Sequence, residues 1–191
     1  MSDQVDTASI DWRVQPDDLT PSYVELRSAQ STADFDISVT DPNGYSSGFD
    51  SIPEGSVRTL VSDIGPVARL YHVPERKLDA TTVAKPYYAI ALCATGDLAA
   101  GAPQANSGKW TISTKSKSGS PVGVTLQIQR GDSLPEFRQR GRQSYFDSPQ
   151  AWAWDSDMLD NTGLAQTCPI TRSGTHTALT TATSRQVFTV G

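Results

Sequence analysis

Histidine, cysteine and methionine each occur only twice in this chain of 191 residues, and there is no surplus of basic residues. These shortages narrow the chemistry. Two histidines leave few places for a general base, and two cysteines, Cys93 and Cys168, do not make a zinc site without histidines beside them. A chain of this length can bury a core large enough to fold without metal or crosslink, so both thiols are expected to be free and buried, with a disulfide as the alternative. The net charge of −5 and the isoelectric point near 4.9 oppose nonspecific attraction to nucleic acid or to an anionic membrane surface, because neutralising phosphates takes a basic face. Neither partner is expected. No apolar run reaches the length of a membrane-spanning helix, and Met1-Ser2-Asp3-Gln4-Val5-Asp6 is acidic where a signal peptide would be basic and then apolar. Clustered metal ligands and a glycine-rich phosphate loop are also missing, so no cofactor is expected and a self-contained small enzyme is the least favoured reading.

What the chain does have is turn chemistry and alternation. Apolar residues make up 37%, Gly, Pro, Ser and Thr are plentiful, and leucine-rich helical stretches are absent. Ile10, Trp12 and Val14 alternate with polar neighbours, as do Phe35, Ile37 and Val39, so each segment can bury one face and wet the other. Asp41-Pro42-Asn43-Gly44 then supplies the residues of a tight reversal. Further strands are expected at 23–27, 57–61, 67–73, 87–94, 109–114 and 122–130, the last two reading as a hairpin across residues 115–121. Some eight strands without a helix imply an all-β fold, a two-sheet antiparallel β-sandwich of jelly-roll type. The sandwich is expected to occupy residues 1–130.

Residues 131–191 have a different texture, with no sustained periodicity up to Gly174, and read as an extended irregular C-terminal segment. Tyr145, Phe146, Trp152 and Trp154 argue against a free linker, so this segment is expected to lie against a surface, the sandwich's own or a neighbour's. The final run Gln186-Val187-Phe188-Thr189-Val190-Gly191 has the composition of a central strand with nothing to cap it, and the chain is expected to be a piece of a longer protein.

Several segments in order resemble the inserted β-sandwich, jelly-roll and P-domain-like, of a branch of the subtilisin-like serine proteases, the subtilases. They are Asp11-Trp12-Arg13-Val14-Gln15-Pro16-Asp17-Asp18 with Thr20-Pro21-Ser22, Gly108-Lys109-Trp110-Thr111-Ile112, Gln127-Ile128-Gln129-Arg130-Gly131-Asp132, and Arg140-Gly141-Arg142-Gln143-Ser144. In such enzymes the insertion follows the Asp and His segments of the triad and precedes the Ser segment. The resemblance therefore implies a noncatalytic module whose partner is the catalytic core of the same polypeptide. Thr180-Thr181-Ala182-Thr183 and the final strand would lead back to that core, and polypeptide substrate would be met through the parent enzyme. Export, secreted or periplasmic, would follow only if the parent is an exported protease.

Read for catalysis, Ser173-Gly174-Thr175-His176-Thr177-Ala178 is similar to the subtilase histidine motif His-Gly-Thr-His-Val-Ala, but the base of that motif falls on Ser173, so His176 is expected to face solvent or bond locally. His72, at a strand end before Pro74, is expected half exposed and inert. No catalytic residue is assigned. Asp155-Ser156-Asp157-Met158-Leu159-Asp160-Asn161 carries alternate acidic oxygens but breaks the EF-hand pattern at three positions, so a solvated acidic turn is expected and no metal ligand is assigned. Asp17 and Asp18 read as turn formers rather than calcium ligands. Arg138, Arg140 and Arg142 are either a solvated run or partners for carboxylates across a domain interface, with Tyr145 and Phe146 as apolar anchors beside them. The rival reading is a carbohydrate-binding or adhesive β-sandwich module, with Trp110, Trp152, Trp154 and Tyr45 as candidate stacking surfaces, Trp110 suiting the core better.

Overall fold

The computed structural model describes residues 7–28, 31–63, 65–79, 81–96, 101–129, 141–148, 152–163, 170 and 174–181, the side chains of 152, 153, 161 and 163 excepted. In chain order the elements begin with β1 (Thr7–Val14), β2 (Ser22–Ser28), a 3₁₀ turn (Thr32–Asp34) and β3 (Phe35–Thr40). Then come β4 (Val57–Ser62), β5 (Gly65–Val73), β6 (Arg76–Lys77), β7 (Val83–Ala84) and β8 (Tyr87–Leu92). The series ends with β9 (Gly108–Ser116), β10 (Gly123–Ile128), β11 (Tyr145–Asp147), β12 (Trp152–Asp155), β13 (Asp160–Gly163) and β14 (His176–Thr180). A four-stranded sheet in the order β11-β1-β9-β3 and a six-stranded sheet in the order β14-β10-β2-β8-β5-β4 form the two layers of an all-β sandwich. All the pairings are antiparallel, and β6–β7 and β12–β13 are separate two-stranded ribbons.

Alternation explains which side chains meet between the layers. Every second residue of β1 is buried, from Ala8 to Val14, and β9 does the same from Trp110 to Ser116. Trp12 and Trp110 sit directly opposite each other on these paired strands and are both fully buried. From the six-stranded sheet, Val24, Leu26, Leu70, Ile90, Leu126 and Ile128 fill the other half of one continuous core. Each such side chain contributes about 1.5–3 kcal/mol when taken fully out of water, so the interior alone can hold the layers together.

The expected hairpin of 109–114 with 122–130 does not form. β9 lies between β1 and β3 in one layer, and β10 lies between β14 and β2 in the other, so the loop at residues 117–122 crosses from sheet to sheet. Both strands do point their apolar residues inward, but they face each other across the core rather than pairing edge to edge. The reversal after β3 forms as its residues predict: Asp41 Oδ1 accepts from the backbone N–H groups of Asn43 at 2.9 Å and Tyr45 at 2.8 Å, and Gly44 takes φ 92°. Asp41 Oδ2 accepts from Asn106 Nδ2 at 2.9 Å, and the Asn106 carbonyl accepts from Trp110 Nε1 at 2.8 Å, tying this turn to the core tryptophan.

Sheet pairing continues past Arg130. β11 adds to the free side of β1, with Phe146 opposite Trp12 and fully buried, and β14 adds to β10 along five residue pairs. The turn leading into β14 joins the layers: the Gly174 carbonyl accepts from Phe146 N in one sheet at 2.7 Å, and the next carbonyl, of Thr175, accepts from Ile128 N in the other at 2.8 Å. Gly174 enters this turn with φ 68°, in the left-handed region that glycine adopts at little cost. A Cβ there would lie 2.9 Å from Tyr145 Cβ, which the backbone of β11 holds in place.

Gly174→Ala is therefore expected to lower the unfolding free energy by more than about 1 kcal/mol, the left-handed penalty alone, with the overlap adding to it. Urea denaturation should show a lower midpoint with an unchanged slope.

Candidate functional site

The two histidines end up in very different places. His72 is not half exposed but buried, at 6% of its surface, because Ile52 and the 3₁₀ turn close over the end of β5. Its Nδ1 lies 2.7 Å from the Ile52 carbonyl and its Nε2 lies 2.9 Å from Thr32 Oγ1. A carbonyl only accepts, so Nδ1 carries the proton and Nε2 accepts from the threonine hydroxyl in the neutral ring. The ring stacks on Tyr88 with centroids 4.3 Å apart, and Tyr88 packs edge-on against Phe35 at 5.4 Å. Both nitrogens are thus used to fasten the end of the sandwich. His176 projects from the outer side of β14, half buried, with Nδ1 3.1 Å from Thr175 Oγ1, the local bond expected of it.

The acidic segments serve turns. Asp18 Oδ1 accepts from the Thr20 backbone N–H at 2.9 Å and from its hydroxyl at 2.7 Å. Asp155 Oδ1 accepts from the N–H groups of Asp157 at 2.9 Å and Met158 at 3.1 Å, closing the β12–β13 ribbon. Asp79 is held down to about 2, chiefly by the Thr81 backbone N–H, in an exposed turn between β6 and β7. A displaced carboxylate here marks loop geometry rather than catalysis. Among the described residues no group of three or more His, Cys, Asp or Glu is placed to hold a metal ion. Cys93 is a free, half-buried thiol, and Cys168 lies outside the described residues.

Of the residues expected at an interdomain contact, Arg138 and Arg140 lie outside the described residues. Arg142 is exposed, Tyr145 is half buried on the edge strand β11, and Phe146 fills the sandwich interior. Among the tryptophans and Tyr45, Trp110 belongs to the core, Trp154 is 63% exposed on the β12–β13 ribbon, and Tyr45 lies at the reversal after β3. The same ribbon exposes Met158 and Leu159 at its tip.

The two outer faces of the sandwich differ in a way the sequence reading missed. The four-stranded sheet presents Ser, Thr, Asp and Lys in closed pairs: Asp11 with Lys109 at 3.2 Å, Arg13 with Asp147 at 2.8 Å, and Ser9 with Ser113 at 2.8 Å. The six-stranded sheet instead presents Tyr23, Tyr71 and Tyr87 with Arg27 and Arg69, around the small Ala89 and Ala91. The signal was available in the outward positions of three predicted strands, but only the order β2-β8-β5 places these side chains side by side.

No family model matches this chain, and no curated protein matches it. Among solved structures it is similar to the Clostridium perfringens CspB protease, with a TM-score of 0.47 and 18% identity, over 72% of this chain and 25% of that one. The chain thus spans a quarter of the length of that protein.

The packing around His72 sets a measurable pH dependence. Burial above all, with the negative charges of Asp36 and Glu54, pushes the Tyr88 phenol up to about 12 from an ordinary 10. Because the folded state raises this value, the associated stability is complete below about pH 10 and is lost as the pH rises towards 12. Unfolding free energy measured across that window should fall in the wild type, and Tyr88→Phe should remove part of that fall.

Proposed function

We propose that the chain is a noncatalytic β-sandwich module of a subtilisin-like serine endopeptidase, where it stabilises the catalytic core or restricts the approach of polypeptide substrates. The observation that carries this reading is the placement of the segments that resemble the subtilase insertion. Asp11-Trp12-Arg13-Val14 lies on β1 and Gly108-Lys109-Trp110-Thr111-Ile112 on β9, and the two are paired in register, Trp12 with Trp110 and Val14 with Gly108. Residues far apart in sequence that carry one resemblance thus form one structural unit at the centre of the fold. Gln127 and Ile128 of a third segment lie on β10 in the other layer, with Ile128 in the same core.

In this reading the catalytic core of the same polypeptide packs against the side of the sandwich built from residues after Arg130. Arg142 and Tyr145 lie there, and the β12–β13 ribbon brings Trp154, Met158 and Leu159 to solvent. A two-stranded ribbon is marginal alone in water, and large exposed apolar side chains on such a ribbon suit a partner surface.

An active-site-directed fluorophosphonate applied to the full gene product should label a serine outside residues 1–191 and leave the isolated chain unlabelled. Labelling of a serine within these residues ends the proposal. Replacing Met158 and Leu159 by Ser should lower the melting temperature of the full polypeptide by several degrees and leave that of the isolated chain unchanged. Equal loss in both would assign the ribbon to the sandwich alone.

A further inference from the structure

The outer face of the six-stranded sheet is recessed along one strand. β8 lies between β2 and β5, and its residues alternate between the core and the outside. Outside, it carries Tyr87 and then only Ala89 and Ala91, whose side chains are single methyl groups. The flanking strands carry long side chains at the matching positions: Tyr23 and Arg69 lie on either side of Ala91, and Glu25 and Tyr71 on either side of Ala89. With strands ~4.8 Å apart, the two walls stand about 10 Å apart, and the alanine floor runs about 7 Å along the strand before Tyr87 closes it.

The closed end is held rigidly. Glu25 Oε2 accepts from Arg27 Nη2 at 2.8 Å and from its Nε at 3.1 Å, and the Arg27 guanidinium lies 4.1 Å from the centre of the Tyr87 ring. Glu25 Oε1 accepts from Gln129 Nε2 at 3.1 Å. The open end is different. Arg69 is exposed and has no hydrogen-bond or ion-pair partner among the described residues, and Tyr23, directly across Ala91, is 41% exposed. By contrast, Arg27 at the closed end and Arg13 and Arg58 elsewhere each have a carboxylate in reach. A trough one strand wide, with one tyrosine in each wall, a methyl floor and, at its mouth, a guanidinium without a partner among the described residues, suits a narrow, hydroxyl-rich chain that stacks on the rings and brings its own carboxylate to Arg69. It suits a flat protein surface less well, because that would rest on the wall crests and leave the floor uncovered.

The geometry points to this trough as a binding site for an acidic oligosaccharide of the uronate type, lying along β8 with a sugar ring against Tyr23 or Tyr71 and a carboxylate on Arg69. The site is independent of the protease reading and uses none of the residues assigned to contact with a catalytic core.

Titration calorimetry of the chain with tetra- to hexameric oligogalacturonate, oligoalginate and hyaluronate, with cello-oligosaccharides as uncharged controls, tests it. Saturable binding is expected for at least one acidic member and should weaken as salt rises. Arg69→Gln should weaken it about tenfold or more, the size of a lost charged hydrogen bond. Ala91→Tyr, which fills the trough on an exposed face, should abolish it with the melting temperature unchanged. The proposal is overturned if no acidic member binds, if the uncharged controls bind as well, or if binding survives Ala91→Tyr. It is equally overturned if Ala91→Tyr blocks only a protein partner.

Discussion

Two sheets with one apolar face each must cover each other, and in this protein the contact is centred on a pair of tryptophans. Trp12 and Trp110 are neighbours across β1 and β9, and the aliphatic side chains of β2, β8 and β10 close over the same interior. The other parts of the structure are arranged around that contact. Phe146 extends it at the β11 edge, Phe35 and Tyr88 extend it towards the opposite end, and His72 seals that end by bonding to Thr32 and Ile52. Asp41 beside the core is satisfied by Asn43, Tyr45 and Asn106, and Trp110 Nε1 donates to the Asn106 carbonyl, whereas Trp12 Nε1 and Thr177 Oγ1 are buried without a hydrogen-bond partner among the described residues. The bonds to Asp41 and Trp110 limit the cost of burying those two side chains.

The same construction leaves two unlike surfaces. Outward positions of the four-stranded sheet carry short polar residues and ion pairs, each worth at most about 1 kcal/mol and suited to plain solvent exposure. Outward positions of the six-stranded sheet concentrate tyrosine and arginine around alanine, a composition that matches recognition better than solvation. Among the described residues after Arg130, the β12–β13 ribbon exposes the large apolar side chains of Trp154, Met158 and Leu159. On the readings proposed above, a neighbouring domain and a small ligand would take separate surfaces, and neither use requires the histidines.

Most strands were legible because a period of two in apolar residues fixes which face is buried. The face of β1, the face of β3 and the reversal at Asp41-Pro42-Asn43-Gly44 were all readable in this way. Period two says nothing about which strand lies alongside. For that reason 109–114 and 122–130 read as a hairpin, although their turn-like linker carries the chain across the core. His72 shows the same limit from another side: its strand was visible, but its burial depends on a carbonyl 20 residues away and a hydroxyl 40 residues away. The tyrosines of the trough were ordinary outward residues of three strands until sheet order placed them round two alanines.

The sequence by itself determined that the chain is all-β, which residues turn inward, where the tight reversal falls, and that the acidic segments make turns. These are local properties, fixed by side-chain alternation and by the conformational preferences of Pro, Gly, Asn and Asp. Only the tertiary structure decided that β9 and β10 occupy opposite layers, that β11 and β14 complete sheets begun more than a hundred residues earlier, and that one outer face is recessed. Those features depend on closing the chain over long separations, and the free energy that selects among such closures comes from packing two faces together, which no single segment contains.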